Sequence, residues 1–163
     1  MFIFLFIVLV LYITTAYFNL VFTKKDVFKL FKKLDLKLNA RYGLAIELSK
    51  IINDSNKQEY ISKICNHLRV LTNDYKNIDR KLALNIEISS FVKQAIERIK
   101  KDNYLQTEYI NLIEEYQVLE NDISELSIKY NQIAKKLRKY VDIFPTSFIA
   151  RLVNIKYTDL YKA

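Results

Sequence analysis

The sequence predicts an all-α protein, an N-terminal transmembrane helix continuing into an antiparallel up-down four-helix bundle. Three observations predict it. Residues Phe2 to Phe22 carry no charge, and a run of about 20 apolar residues is what a bilayer core requires. One Gly and one Pro among 163 residues leave little material for tight turns or sheets. Between Leu105 and Phe144 apolar residues recur in alternating steps of four and three, at Leu105, Tyr109, Leu112, Tyr116, Leu119, Ile123, Leu126, Tyr130, Ile133, Leu137, Tyr140 and Phe144. That is an unbroken heptad seam. At 1.5 Å per residue it describes a helix of roughly 60 Å, whose narrow apolar stripe other helices must cover.

Taken in order, residues 1–22 read as a retained anchor. A cleaved signal peptide would want a basic start, a shorter apolar run and a small-x-small cleavage site, and Met1-Phe2 and Thr14-Thr15-Ala16 supply neither end. Lys24, Lys25, Lys29, Lys32, Lys33 and Lys37 follow at once, offset by Asp26 and Asp35. The positive-inside rule then predicts a single-pass protein of the cytoplasmic membrane, N-terminus outside and bundle in the cytoplasm. The same lysines are candidate contacts for an anionic lipid surface.

Residues 24–143 read as the bundle. Val27, Phe31, Leu34, Leu38, Tyr42, Ala45, Leu48 and Ile52 continue the first helix beyond the membrane, with Gly43 its weak point, and Asn53-Asp54-Ser55-Asn56 ends it. Ile61, Ile64, Leu68, Leu71, Tyr75, Ile78 and Leu82 form a second stripe, and Leu84, Ile88, Phe91, Ala95 and Ile99 a displaced third. A turn near Asn73–Asn77 would separate them and make four helices; the alternative is three long helices with no turn. A continuous helix from Lys57 to Lys100 would be about 65 Å and would overshoot the roughly 45 Å that the first helix reaches from the membrane. Asn103 is placed to cap the fourth helix. Pro145 ends that helix, and residues 144–163, with Phe148, Ile149, Leu152, Tyr157, Leu160 and Tyr161, are too apolar for a free terminus and read as a packed tail near the lysines.

Most chemistry is excluded by residue type. Cys65 is the only cysteine and His67 the only histidine; disulfides, Cys clusters, His–His metal sites and the Glu-x-x-His di-iron pattern are therefore ruled out within one chain. A single Gly leaves no phosphate-binding loop. Cys65 reads as a small core residue and His67 as a surface one. Cys65 and His67 lie two apart and so point to different sides of a helix. Glu114 with Glu115, or Glu120 with Glu125, could be called paired carboxylates, but Glu115 and Asp122 flank the seam, where charges pair with neighbouring helices, and the structural reading is preferred. The net charge of +8 is spread among acids with no nucleic-acid motif, so no nucleic acid is expected. No catalytic residue, cofactor or metal is expected.

One resemblance adds to this. Glu120-Asn121-Asp122-Ile123, Tyr130-Asn131 and Phe144-Pro145-Thr146-Ser147-Phe148-Ile149-Ala150 resemble the C-terminal signature of LemA family proteins, in which Glu-x-x-Ile leads to Tyr-Asn and then to Phe-Pro-Ser-x-x-Ile-Ala. Asp35, Leu38, Arg41, Leu44 and Leu48 resemble the family's first helix. The likeness covers residues 24–52 and 104–161; the chain lacks the family's Glu-x-Tyr-Pro-x-Leu element and has Gly43, Ile46, Ser127 and Arg138 where the family shows other residues. The resemblance implies a short, diverged, membrane-anchored four-helix bundle without an implied reaction. Tyr130, Asn131, Phe144, Pro145, Ile149 and Ala150 are then family-motif positions with structural roles. The leading expectation is a non-enzymatic scaffold for membrane or cytoplasmic proteins, and the alternative is a membrane-surface protein that organises anionic lipid or shapes the bilayer.

Overall fold

A computed structural model of the chain describes residues 1–51, 55–70, 78–101, 105, 107 and 109–161. It is all-α, with no strand among the described residues. The helices are α1 (Phe2–Ile51), α2 (Ser55–Val70), α3 (Ile78–Lys101), α4 (Ile110–Asp142) and the short α5 (Thr146–Leu152). The anchor and the first bundle helix are one rod, as the unbroken stripe predicts. α1 is 50 residues long, about 75 Å, and it passes through Gly43 without a break. Every other helix packs on it.

α1 changes character along its length. Residues 2–15 are exposed on all sides. From Ala16 onward one face is covered, and Val27, Leu34, Leu38, Tyr42, Ala45 and Leu48 are fully or almost fully buried. Each such aliphatic side chain contributes on the order of 1.5–3 kcal/mol by leaving water, so this face holds the bundle. Thr23 lies buried within the helix.

Pairs of contacts give the directions. Phe31 meets the ring of Tyr130, Lys37 meets Asp122 and Arg41 meets Glu120; rising numbers on α1 match falling numbers on α4, so the two are antiparallel. Asp35 meets Lys81, and Arg41 and Asn85 converge on one oxygen, so α3 runs parallel to α1. α2 and α3 are separate helices, and the turn expected near Asn73–Asn77 lies outside the described residues, as do Ile52 and Asn103.

The seam of α4 is corrected in detail. Ile113, Leu119, Ile123, Ser127, Tyr130, Ala134 and Leu137 are buried, while Leu112, Leu126, Ile133 and Tyr140 sit at its edge. A bundle helix faces more than one neighbour and buries a wider stripe than a two-stranded seam, which brings the row at Ile113, Ser127 and Ala134 inside. Phe144, the last seam position, is largely exposed. Tyr109 is the N-cap residue of α4. Cys65 is buried and His67 exposed, as their settings in the second stripe predict.

After α4 the chain turns through Ile143–Pro145, where the Phe144–Pro145 peptide is cis. The Thr146 hydroxyl donates to the Ile143 carbonyl at 2.8 Å. α5 ends in a Schellman-type reversal. Asn154 adopts φ 50, the left-handed conformation that Asn tolerates best after Gly, and the Ile155 amide donates to the Ala150 carbonyl at 2.8 Å. This reversal sends residues 155–161 back along the bundle in extended form.

Candidate functional site: a polar interior that clamps the tail

The bundle interior is not purely apolar. Asp35, Arg41, Lys81 and Asn85 are buried, with Lys81 and Arg41 each only 1% exposed. On α1 the residues Asp35, Asn39 and Tyr42 follow one another at helical spacing, and on α3 Lys81 and Asn85 are four apart, so each set lines one face. The two faces meet. The Lys81 ammonium forms an ion pair with the Asp35 carboxylate, and Asn39 hydrogen-bonds to that carboxylate as well. Burial outweighs the attraction of this pair for both partners: it holds Asp35 above its ordinary pKa and Lys81 below its own. Burial also raises the Tyr42 phenol far above its ordinary value.

One turn further along α1, the Arg41 guanidinium bridges two elements. Its Nη2 lies 2.6 Å from Glu120 Oε1 on α4, and its Nη1 donates to the Tyr161 hydroxyl oxygen at 3.2 Å. Asn85 Nδ2 donates to the same oxygen at 3.0 Å. The tail is thus received by a basic and an amide donor whose sequence neighbours belong to different helices. Asn131 completes the clamp from α4. Its Oδ1 accepts the Tyr161 amide at 2.8 Å and its Nδ2 donates to the Tyr161 carbonyl at 2.9 Å, an amide pairing both ways with one backbone residue. The Tyr130 hydroxyl donates to the Asp159 carbonyl at 2.8 Å. Arg138 stacks over the Tyr157 ring, 4.7 Å from its centroid.

The site residues singled out in the sequence therefore fall into three groups. Tyr130 and Asn131 sit in the clamp, and their partners are tail backbone atoms. Phe144, Pro145, Ile149 and Ala150 form the α4–α5 corner, where Ala150 and Ile149 are buried and Phe144 is 81% exposed. Of the lysines, Lys25, Lys29, Lys32 and Lys33 are exposed and Lys24 half-buried; Lys24 lies over the Phe28 ring and Lys25 over the Phe22 ring. Lys37 departs from them. Its ammonium is 2.6 Å from Asp122, which makes it part of the α1–α4 contact. Of the acids singled out on α4, Glu120 is engaged by Arg41, Asp122 by Lys37 and Glu125 by Lys129.

Sequence reasoning missed the interior network. Its signal was present: Asp35 interrupts an apolar stripe between Leu34 and Leu38, and Lys81 adjoins Leu82 in another. A buried charge demands an opposite one, so the two interruptions predict each other. Chemically the network binds an extended peptide, here the chain's own tail, through backbone pairing and a double capture of a phenol oxygen. Among the described residues no group of three His, Cys, Asp or Glu side chains is placed to hold a metal.

The sequence matches no protein-family model, no curated protein and no solved structure. What stands is the class: an all-α protein built on one long helix, α1, which is long and apolar enough at its N-terminal end to cross a membrane.

Proposed function

We propose that this chain is a LemA-type, non-enzymatic protein held in the cytoplasmic membrane by one N-terminal span, N-terminus outside, whose bundle gathers other proteins at the membrane surface. The observation that carries the reading is the continuity of α1. The same helix is exposed over residues 2–15, with only α5 beside it at Leu9, Tyr12 and Ile13, and is the centre of the bundle from Val27 to Leu48. A soluble domain gains nothing from so large an exposed apolar rod, whereas a bilayer covers it. The charged groups of the interior are spent on holding helices and tail together, and that suits a rigid platform. A shallow surface on α2 and α3, lined by Tyr60, Ile86 and Phe91, is open to solvent and offers a partner an apolar foothold.

The test has two stages. Membranes washed with alkaline carbonate should retain the protein, and a C-terminal tag should resist protease in intact cells; release, or digestion from outside, would defeat the anchored topology. A photo-reactive residue in place of Ile86 should then give discrete protein adducts in native membranes. Adducts to lipid alone would favour a second reading, a membrane-surface protein that organises anionic lipid. That reading draws on the exposed Lys25, Lys29, Lys32 and Lys33, none of which forms an ion pair among the described residues.

A further inference from the structure

The α4–α5 corner lies in an unexpected place. The apolar tail would be expected beside the lysines, but α5 sits lower, against Leu9, Tyr12 and Ile13 of α1. At 1.5 Å per residue those positions lie roughly 16 to 22 Å from Lys24 along the helix, well inside a hydrocarbon layer of about 30 Å. The corner presents its apolar side chains outward. Phe144 is 81% exposed, Phe148 60% and Leu152 70%, and with Leu9, Tyr12 and Ile13 of α1 they line an apolar groove.

We propose that this corner is a second membrane-embedded element, a re-entrant turn whose Phe144, Phe148 and Leu152 side chains lie among the acyl chains toward the middle of the bilayer. The inference rests on the proposed span. Three further observations support it. First, hydrocarbon accepts only backbone whose polar groups are satisfied internally, and this turn is largely closed on itself: the amides of Ile143, Ser147, Phe148, Val153, Asn154 and Ile155 all donate to carbonyls within the corner or the last turn of α4. Pro145 has no amide to satisfy. Second, the charges of α1 and α4 end close together: the last on α4, Asp142, lies 3.8 Å from Arg138 and falls level with Asn19 of α1, about 7.5 Å beyond Lys24. The contact between Phe31 and Tyr130 sets the antiparallel register, which brings Lys135, Lys136 and Lys139 of α4 level with Asp26, Lys25 and Phe22 of α1. Two helices thus become basic together just above the corner, where anionic headgroups would lie. Third, from Ile143 to Ile155 the sequence contains a single charge, Arg151. It is exposed, and it is the one charge the corner carries into the hydrocarbon, where it opposes insertion.

The chain contains no Trp, so one introduced Trp reports alone. The full chain carrying Phe148→Trp is reconstituted in phosphatidylcholine–phosphatidylglycerol vesicles, beside Phe6→Trp in the span and Tyr60→Trp on α2. Phe144→Trp serves as a second corner probe in case one variant folds poorly. The expected result is that the corner Trp emits to the blue, loses most of its emission to lipids brominated on the acyl chain and resists aqueous acrylamide, as Phe6→Trp does and Tyr60→Trp does not. A corner Trp open to acrylamide while Phe6→Trp is quenched by bromolipid overturns this proposal and leaves the span standing. A corner Trp shielded from both quenchers means that a second copy or another part of the protein covers it, and also overturns the proposal. If Phe6→Trp escapes bromolipid, the span and the corner fall together.

Discussion

Deleting the ammonium of Lys81 while leaving Asp35 in place is the sharpest test of how the interior works. Lys81→Met keeps most of the stem and its packing. It leaves the Asp35 carboxylate, 5% exposed, with Asn39 as its remaining polar neighbour on α1. Breaking a buried ion pair from one side costs about 3–5 kcal/mol, because the surviving charge stays desolvated and uncompensated. For a chain of this size that is a fall in Tm on the order of 10 °C. Removing both charges, as Asp35→Leu with Lys81→Met, takes away the desolvation cost together with the attraction, and the double variant should be close to the parent or more stable by about 1–4 kcal/mol. The pH dependence follows in sign. Burial already holds Asp35 above its ordinary 3.8, and Lys81 is the main influence pulling it back. Without Lys81 the folded-state pKa rises further, so the folded state binds its proton more tightly than the unfolded one. Stability of Lys81→Met should therefore be recovered as pH falls toward about 4 and lost as pH rises through the elevated pKa. The assay is far-UV circular dichroism of the full chain in non-ionic detergent, unfolded by heat and by urea at several pH values. A single variant no less stable than the double one, or one whose deficit is the same at every pH, would refute the argument.

Other substitutions test other parts. Tyr161→Phe removes the oxygen that accepts from Arg41 and Asn85, leaves two buried donors unanswered and should cost about 1–3 kcal/mol; Asn131→Ala should free residues near the C-terminus for limited proteolysis, while Tyr60→Phe, on the exposed surface, should do neither. Gly43→Ala should stabilise by about 1 kcal/mol, measured by urea unfolding, since a Cβ there meets nothing within 4 Å and the helix is continuous. Changing Lys24, Lys25, Lys29, Lys32 and Lys33 to Gln should weaken the salt-sensitive attraction of the bundle to anionic vesicles, whereas Lys37→Gln should leave vesicle attraction intact and weaken the α1–α4 contact by no more than about 1 kcal/mol.

What was legible in the sequence is what depends on one element at a time. The stripe from Val27 to Leu48 follows from periodicity, Cys65 and His67 fell where their neighbours implied, and Tyr157, Leu160 and Tyr161 were too apolar to hang free. What was not legible depends on register between elements. Arg41 and Tyr161 are joined across 120 residues of sequence, and nothing local in either residue announces the other. The depth of α5 is similar. Pro145 marks where α4 ends, but only the pairing of Phe31 with Tyr130 says how far down α1 that end reaches. The heptad seam also overreached at Phe144, because periodicity records which side chains avoid water and does not distinguish a neighbouring helix from a lipid tail.

The unbroken course of α1 has a mechanical consequence. With its first part held in a bilayer as proposed, no hinge separates the span from the bundle, and the bundle inherits every tilt of the span. Transmembrane helices lean by about 20° on average, and they lean further where the bilayer is thin relative to their apolar length. The part of α1 beyond Phe22 is about 43 Å long, so a lean of about 20° carries its far end sideways by roughly 15 Å. Membrane thickness would thereby set where the distal surface around Tyr60 and Ile86 stands over the membrane, and two bilayers of different thickness would hold the same rigid platform at different angles.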